Sequence, residues 1–215
     1  MHLSLLEQAK VTAEELIAFE AEVAAEFERG HIRGPVHISG GNEAALIEIF
    51  KDIKSSDWCI STYRSHYHAL LHGIPRDKVM AAIMSGRSMN LSFPEHRFLT
   101  SAIVGGTLPI AVGIAAALKR QVSERKVWVF LGDMCATTGA FYEATSYACL
   151  QVLPVKFVIE DNLLSCDSPT HECWGTAYHG WHENSVVATL SNKVLRYGYK
   201  RTFPHVGIGK FVTFV

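Results

Sequence analysis

The sequence has no apolar run long enough for a membrane span. Its most apolar stretch, residues 102–118, is interrupted by three glycines and a proline, which argues against a transmembrane helix. It also has no excess of charge, since 20 Lys and Arg residues balance 21 Asp and Glu residues for a net charge of −1. A basic surface for nucleic acid and an acidic disordered tail are therefore both disfavoured. We expect neither nucleic acid nor a membrane as a partner.

Signals for secretion and for disulfide bonding are also missing. The first ten residues carry neither a charged segment followed by an apolar core nor a cleavage site, so we expect no signal peptide. The five cysteines are odd in number and scattered along the chain, which is typical of a reducing compartment. We therefore expect a cytoplasmic location.

Neither repeats nor a low-complexity linker divide the chain. Its 215 residues, of which 48% are hydrophobic, are enough for one sizeable α/β domain with its own core. Thr12 and Glu15 have the spacing of a capping box and precede apolar residues at helical spacing. We predict a single domain over residues 1–215, with residues 1–30 as an N-terminal helical extension.

Two common cofactor and metal signatures are absent or incomplete. No Gly-x-Gly-x-x-Gly follows a predicted strand, which disfavours a nicotinamide-binding Rossmann domain. His68 and His72 have the spacing of a zinc-protease pair, but Ala69 stands where such a protease needs a glutamate. The His-Glu-Cys sequence at residues 171–173 fits no zinc-binding pattern either. We therefore expect no catalytic zinc.

What the sequence does contain is a strand–helix–strand unit within residues 126–170. Residues 127–131 form a short apolar run, typical of a buried parallel strand, and Asp133 follows it closely. A helical pattern comes next, and then a second apolar run at residues 155–159 is followed closely by Asn162. Such units place parallel strands side by side, and ligands bind beyond their carboxyl ends. We therefore expect both polar side chains to face one crevice.

A carboxylate and an amide oxygen at neighbouring strand ends suit Mg2+. This ion takes few protein ligands and fills its other positions with phosphate oxygens and water. The predicted helix amino terminus at residues 137–140 offers free N–H groups and a positive dipole to a phosphate. The residues thus predict a Mg2+–diphosphate site at Asp133 and Asn162. Taken alone, the pair leaves a second interpretation open, because Gly-Asp and Asp-Asn are also common turn sequences.

Polar residues in two earlier loops fit the same site. His37 lies in a glycine-rich loop, where a histidine is also often structural or merely exposed. Tyr63 and Arg64 follow a predicted strand at residues 58–62. The planar guanidinium of Arg64 suits a diphosphate because it makes paired, charge-assisted hydrogen bonds. A surface salt bridge is the alternative role for Arg64.

Three further predictions concern structure alone. Asn42 is placed to cap the helix that follows it, and residues 197–202 and 211–215 have the composition of strands.

Taken together, these features resemble the thiamine diphosphate motif, which here opens with Gly132-Asp133 and closes with the Glu-Asp-Asn sequence that ends at Asn162. More closely, residues 12–170 resemble the alpha subunit of the decarboxylating dehydrogenase component of 2-oxo acid dehydrogenase complexes. The resemblance implies an α/β fold, a three-layer α/β/α domain with a parallel sheet that binds the diphosphate. It also implies thiamine diphosphate and Mg2+ as cofactors.

In that family the metal ligands correspond to Asp133, Asn162 and the backbone carbonyl of Leu164. Two positions depart from the family motif, since Met134 replaces a glycine and Asp161 replaces an asparagine. Neither change removes a metal ligand. The Met134 side chain, however, stands where the family brings backbone close to the diphosphate.

The resemblance also implies cofactor-binding positions from five stretches of the chain. They are His37, Tyr63, Arg64, Ala102, Val104, Gly132, Asp133, Met134, Cys135 and Asn162. Ala102 and Val104 correspond to a turn that presents backbone groups to the aminopyrimidine ring. The implied catalytic histidines are His66 and His205. Residues 178–182 imitate the family's Tyr-His-Gly-His loop but come too early in the chain, which favours His205.

The resemblance implies an alpha-type subunit that decarboxylates a small, pyruvate-like 2-oxo acid and passes on the acyl unit. In the family, a glutamate that acts on the aminopyrimidine ring belongs to a second, pyrimidine-binding domain, and this chain has room for only the diphosphate-binding one. We therefore expect a beta-type partner subunit that supplies this glutamate, in an α2β2 assembly.

Two other functions remain open from the sequence. Half of a split transketolase-like or acyloin-forming enzyme would take a ketose or a similar substrate and transfer its carbon unit to an aldehyde. A non-catalytic scaffold would need a dead metal site, whereas Asp133 and Asn162 are both intact.

Overall fold

A six-stranded sheet forms the centre of the fold in the computed structural model, which describes residues 11–165, 168–175 and 192–214. In chain order, the strands are β1 (Trp58–Ser61), β2 (Ser92–Phe93), β3 (Phe98–Thr100), β4 (Val127–Gly132), β5 (Val155–Asp161), β6 (Leu164–Ser165), β7 (Ser168–Pro169) and β8 (Val194–Gly198). The sheet has the order β2-β3-β1-β4-β5-β8, and all its neighbours are parallel except β2 and β3. Strands β6 and β7 form a separate antiparallel pair.

Helices cover both faces of the sheet. They are α1 (Ala13–Glu28), α2 (Glu43–Phe50), α3 (His66–Leu71), α4 (Arg76–Ala82), α5 (Thr107–Arg120), α6 (Gly139–Leu150) and α7 (Thr170–Trp174). Helices α1 to α4 pack on one face, and α5 and α6 pack on the other. Short helical turns at Ile83–Arg87, Pro94–His96 and Cys135–Thr137 connect these elements.

The central strand β4 shows why the fold has three layers. Successive side chains of a strand point to opposite faces of the sheet. Trp128 and Phe130 therefore pack with α1 to α4, whereas Val127, Val129 and Leu131 pack with α5 and α6. Both faces of the strand are buried, as its unbroken apolar run predicts. The predicted α/β fold with a parallel, three-layer arrangement is confirmed.

Helix α6 makes the predicted crossover between two parallel strands. Phe141, Ala144 and Ala148 on its inner side are buried. Strands β4 and β5 pair in parallel over their whole common length, up to Gly132 opposite Glu160. The residues that follow these two positions therefore emerge side by side at one edge of the sheet.

Helix α1 is part of the main core. The predicted capping box is present, with the N–H of Glu15 donating to Thr12 Oγ1 at 3.2 Å and the N–H of Thr12 donating to Glu15 Oε2 at 2.8 Å. Leu16, Phe19 and Val23 are buried in the same apolar cluster as Trp128 and Phe130 of β4. The helix thus covers the sheet directly.

Strand β8 differs in its bounds from the predicted strand. It covers Val194–Gly198, so the prediction of residues 197–202 was displaced toward the C-terminus. The register with β5 explains the shift, because β5 ends at Asp161, which pairs with Gly198, and offers no partner to later residues.

The chain after β8 turns back to the N-terminal loops. The N–H of Gly207 donates to the carbonyl of Val36 at 2.9 Å. Residues 211–214 form no strand and Phe211 is exposed, so the predicted strand at residues 211–215 is wrong for its described part. That segment lies beyond the turn toward Val36 and pairs with no strand of the sheet. Residues 178–182, which imitate the Tyr-His-Gly-His loop of the family, lie outside the described residues.

Two further findings concern the described part of the chain. None of its helices combines the length and the apolar character needed to cross a membrane. Its cysteines, Cys59, Cys135, Cys149 and Cys173, are free thiols.

Two substitutions on α1 separate a core role from a surface role. We expect Leu16→Ala to lower the free energy of unfolding by about 2–5 kcal/mol, because it leaves a cavity under a fully buried side chain. Ile17→Ala on the half-exposed side of the same helix should change it by less than about 0.5 kcal/mol. Urea unfolding of both variants measures the difference, and equal losses would contradict the packing described here.

Candidate active site

A cavity opens at the carboxyl ends of β1, β4 and β5 and encloses about 660 Å3 of space, part of it open to solvent. The loop before α5 and residues Tyr199 and His205, which follow β8, complete its walls. Ligands bind at this edge in open parallel sheets.

Most of the residues predicted for the site meet on these walls. They are Tyr63, Arg64, Val104, Gly132, Asp133, Met134, Cys135, Asn162, Leu164 and His205. Some are far apart in the chain, with Tyr63 and His205 separated by 142 positions. The parallel strand order and the return of the chain after β8 bring them together.

Asp133, the first residue beyond β4, is a buried carboxylate with 1% of its surface exposed. It accepts a hydrogen bond from the hydroxyl of Thr170 at the start of α7. Burial raises the pKa of Asp133 from 3.8 to about 6; nearby Asp161 adds to the rise, and the Thr170 bond opposes it. A cation beside this carboxylate would favour its charged form.

The turn after β5 is held by its own side chains. Asp161 Oδ1 accepts from the N–H of Leu163, and Asn162 Oδ1 accepts from the N–H of Leu164, both at 3.0 Å. Leu163 has a φ of 62°, in the left-handed region that leucine rarely adopts. Arg196 on β8 donates to the Asp161 carboxylate, with Nε at 2.9 Å. The aspartate that departs from the motif is therefore paired with a cation on the next strand.

Asn162 is also oriented from its other side. Its Nδ2 donates to the hydroxyl of Tyr199 at 3.2 Å, and its amide oxygen keeps a second lone pair beyond the Leu164 bond. Asp133, Asn162 and Leu164 line the same cavity. A carboxylate, an amide oxygen and a backbone carbonyl suit a hard cation that takes its other ligands from phosphate and water.

The turn that leads into α6 borders the same cavity through Met134 and Cys135. Thr138 is the N-cap, and its hydroxyl accepts from the N–H of Phe141 at 3.3 Å. Burial raises the pKa of Cys135 to about 11, so this thiol is protonated at neutral pH and acts as a small apolar part of the wall. Met134 Sδ accepts from the indole N–H of Trp174 at 2.9 Å. The side chain that replaces the motif glycine is thus in contact with α7.

A second wall combines Tyr63, Arg64 and His205. Arg64 is buried, and it donates to the carbonyls of Ile38 at 2.6 Å and His205 at 2.7 Å, so the surface salt-bridge interpretation is wrong. Tyr63 Oη lies 3.3 Å from His205 Nε2. Burial, and then the charges of Arg64 and Arg201, lower the pKa of His205 to about 3. Its imidazole is therefore neutral at physiological pH.

Two of the predicted cofactor-binding residues lie just behind the walls. The ring centroid of His37 is 4.4 Å from that of Tyr63, and its Nδ1 is 2.9 Å from the carbonyl oxygen of His205. The chain neighbours of Ala102 line the cavity, whereas Ala102 itself does not. His37 thus supports the part of the wall formed by Tyr63 and His205.

His66, predicted as a catalytic histidine, lies away from the cavity. It is fully buried, and its ring nitrogens are each 2.9 Å from a partner, Glu20 Oε2 on α1 and Ser88 Oγ. Helix α3 begins at this residue, which turns the side chain onto α1, whereas Arg64 two positions earlier reaches the cavity wall. The structure places His66 in a buried bridge between α1 and the loop that contains Ser88.

Glu160 is a site residue that the sequence analysis did not select. It lines the cavity and accepts hydrogen bonds from Asn42 Nδ2 at 3.2 Å and from the hydroxyl of Tyr197. The prediction that Asn42 caps α2 is wrong for its side chain, which makes no capping bond. The position of Glu160 at the end of β5, beside the motif, was a signal that could have identified it.

Thr170 and Tyr199 were also missed, and no local pattern marks them. Thr170 contacts Asp133, and Tyr199 contacts Asn162. Each meets its partner only because the chain returns toward the ends of β4 and β5 after leaving β5.

The histidines considered for zinc have other surroundings. The ring centroid of His68 is 4.4 Å from that of Phe130, and His72 Nε2 is 3.0 Å from the carbonyl oxygen of His96. Within the described ranges, no group of three or more His, Cys, Asp or Glu residues could hold a metal ion. His68 and His72 are thus packed in the core.

Comparison with known proteins adds an independent result. The family model described as the dehydrogenase E1 component matches residues 12–173. Among similar proteins, the pyruvate dehydrogenase E1 component subunit alpha of Porphyra purpurea is 34% identical over 161 residues, which cover 67% of this chain and 47% of the relative. The chloroplastic subunit alpha-3 of Arabidopsis thaliana is 33% identical over 162 residues, covering 68% and 38%.

A bacterial relative gives the same picture. The pyruvate dehydrogenase E1 component subunit alpha of Rickettsia typhi is 34% identical over 156 residues, covering 67% of this chain and 47% of the relative. The matched region therefore spans less than half the length of these relatives.

The buried Asp133 should lower stability at neutral pH. Its folded pKa of about 6 exceeds the ordinary 3.8, so its favourable contribution is complete below pH 3.8 and is lost as the pH rises through 6. We expect Asp133→Asn to stabilise the protein by on the order of 2 kcal/mol at pH 8, and by roughly half as much at pH 5. Thermal unfolding at both pH values measures this change.

Asp57 provides the matched control. Its buried carboxylate accepts from the N–H groups of Lys54 and Lys126 and from the indole of Trp128. Asp57→Asn removes an acceptor oxygen and should destabilise by about 1–3 kcal/mol. If Asp133→Asn also lost stability at pH 8, the conclusion that burial disfavours the charged form of Asp133 would be wrong.

Proposed function

The chain belongs to the dehydrogenase E1 component family, and from that premise we propose that it is the alpha-type subunit of a thiamine diphosphate-dependent enzyme. The proposed reaction is decarboxylation of a small, pyruvate-like 2-oxo acid, with the acyl unit passed to an acceptor. The names of the relatives, pyruvate dehydrogenase E1 component subunit alpha, support this choice. The observation that carries it is the meeting of Asp133, Asn162 and Leu164 on one cavity wall.

In this proposal Mg2+ binds to Asp133, Asn162 and the backbone carbonyl of Leu164. The support is the type of ligand, since all three offer oxygen and leave room for phosphate oxygens and water. The raised pKa of Asp133, caused mainly by burial, also supports a cation at this place, because a positive charge would offset the cost of the buried carboxylate.

The diphosphate would lie between the metal ligands and the wall of Tyr63 and Arg64. The N–H groups at the start of α6, together with backbone at Gly132, Met134 and Cys135, are the further donors that we assign to it. Val104 and Ala102 would offer backbone groups to the aminopyrimidine ring. His37 would act by holding Tyr63 in place.

When bound, thiamine diphosphate supplies a nucleophilic carbon and an electron sink for decarboxylation. The chain itself would orient the cofactor, and apolar wall residues such as Leu131 and Val104 would exclude water from it. His205 is neutral, and its Nε2 lies within hydrogen-bonding distance of the Tyr63 hydroxyl. We therefore propose that His205 holds or moves a proton at Nε2. For His66 we propose an indirect role, in which its bridge from Glu20 to Ser88 keeps α1 in place.

We further propose that residues 1–215 form one diphosphate-binding domain and that a beta-type subunit completes the site in an α2β2 assembly. The partner would supply the pyrimidine-binding domain and the catalytic glutamate. Ile103 and Val104 support this, because both border the cavity and are 73% and 54% exposed. The free thiols of the described cysteines are compatible with the proposed cytoplasmic location.

Calorimetric titration of thiamine diphosphate with Mg2+ tests the proposal. We expect the chain alone to bind weakly, binding to tighten when the beta-type subunit is added, and turnover of a 2-oxo acid to need both. Asp133→Asn should weaken Mg2+-dependent binding by about tenfold or more, although the same change stabilises the fold.

Asp52→Asn is the control, because Asp52 is an exposed carboxylate outside the cavity. It should bind the cofactor like the wild type. Robust turnover by the lone chain, or cofactor binding that is indifferent to Asp133→Asn, would refute the proposal. With the complex in hand, assays with a lipoyl protein and with an aldehyde acceptor distinguish the dehydrogenase from the transketolase-like or acyloin-forming reaction.

A further inference from the structure

The segment after β8 packs closely against the loop before α2. The N–H of Thr202 donates to the carbonyl of Gly40 at 3.3 Å. Gly41 has a φ of +92°, and a Cβ atom there would lie 2.0 Å from the carbonyl oxygen of Lys200. Only glycine allows this approach. The contact holds the backbone of Arg201 in place between its two neighbours.

Two nitrogens of the Arg201 side chain are buried. Its Nε and Nη1 are shielded from solvent, and neither has a hydrogen-bond partner in the described part of the chain. Burying such donors without a partner is costly. By contrast, the exposed Arg76 and Arg29 each pair with a carboxylate.

Arg201 is an electrostatic neighbour of three cavity residues. After burial, which is the main cause, its charge helps to lower the pKa of Arg64 and of His205. It also opposes the rise that burial causes in the pKa of Tyr199. All three neighbours line the cavity, so Arg201 adds positive potential to that wall.

Two carboxylates that act electrostatically on residues of this wall bond to other groups. Glu20 and Glu160 act electrostatically on Arg64 and Tyr199, respectively. Each of these two carboxylates accepts hydrogen bonds from other groups. Within the described residues, neither forms an ion pair with Arg64 or Arg201. Among the described residues, therefore, neither Arg64, which lines the cavity, nor Arg201, whose charge acts on that wall, has an ion-pair partner.

We propose that Arg201 is an anion-binding residue of this cavity and that, together with Arg64, it takes an oxyanion group of the ligand. The inference rests on the proposed function and deepens it, because no motif in the sequence assigns a role to Arg201. A guanidinium fork suits phosphate and carboxylate oxygens alike. Two sources have that chemistry, the diphosphate of the cofactor and the carboxylate of the 2-oxo acid.

NMR titration of the full chain tests the inference and separates the two sources. Inorganic diphosphate and pyruvate are added in separate experiments, and the arginine Nε–H signals report binding at Arg64 and Arg201. Arg201→Gln should weaken binding of one of these anions by about tenfold or more, because a charge-assisted pair of hydrogen bonds is lost. Arg201→Lys keeps the charge but not the fork, so we expect it to recover part of the affinity.

Arg120→Gln is the matched control, since Arg120 is exposed in the last turn of α5, and it should bind both anions like the wild type. The pKa of His205, followed by NMR in the same samples, should rise in Arg201→Gln and stay unchanged in the control. A purely structural arginine would not give this combination of changes.

The outcomes are distinct. Weaker diphosphate binding assigns Arg201 to the cofactor, and weaker pyruvate binding assigns it to the substrate. Unchanged affinity for both anions in Arg201→Gln overturns the inference, and the proposed function still stands if Asp133→Asn abolishes Mg2+-dependent binding of thiamine diphosphate. Absence of anion and cofactor binding in the wild type, even with the beta-type subunit, overturns both.

Discussion

Two carboxylates buried at the ends of neighbouring parallel strands are the constraint on which the rest of the site depends. The pairing of β4 with β5 brings Asp133 and Asp161 close together, and like charges in a poorly solvated place oppose each other. The two carboxylates differ in their hydrogen-bond partners. Asp161 has an ion pair with Arg196, whereas Asp133 has the neutral hydroxyl of Thr170. Asp161 thus shapes the turn, whereas a cation beside Asp133 would favour the charged form that burial opposes.

This asymmetry links stability to the proposed activity. A carboxylate whose folded pKa is raised makes the protein less stable at neutral pH than a neutral residue would. Active sites commonly retain such groups because the chemistry needs them. In this chain the residue that lowers stability is Asp133, which is proposed to hold the metal. The neighbouring carboxylate, Asp161, forms an ion pair with Arg196.

The wall formed by Tyr63, Arg64 and His205 carries positive charge. Arg64 is bonded to backbone carbonyls, and Arg201 brings a second positive charge nearby. His205 is kept neutral in their presence. An anionic ligand placed between this wall and a cation at Asp133 would compensate both sides at once, which is the charge distribution of a metal diphosphate.

Much of this arrangement follows from the sequence alone. Two apolar runs joined by a helix, each followed by a polar residue, are sufficient to predict parallel strands and adjacent polar strand ends, because both patterns are local. The capping box of α1 and the buried stripe of α6 follow from spacing in the same way. These features determined the layers of the fold and the place of the cavity.

Tertiary structure decided which way individual side chains face and which distant residues arrive. His66 turned onto α1, and Asn42 turned toward Glu160 and away from its helix end, because burial and available partners outweighed local preference. Thr170 meets Asp133, and the backbone beside Arg201 meets Gly41, in segments without a periodic pattern, so these positions depend on contacts between remote parts of the chain. The charge states of Asp133 and His205 were likewise set by burial and by neighbours that only the folded chain brings together.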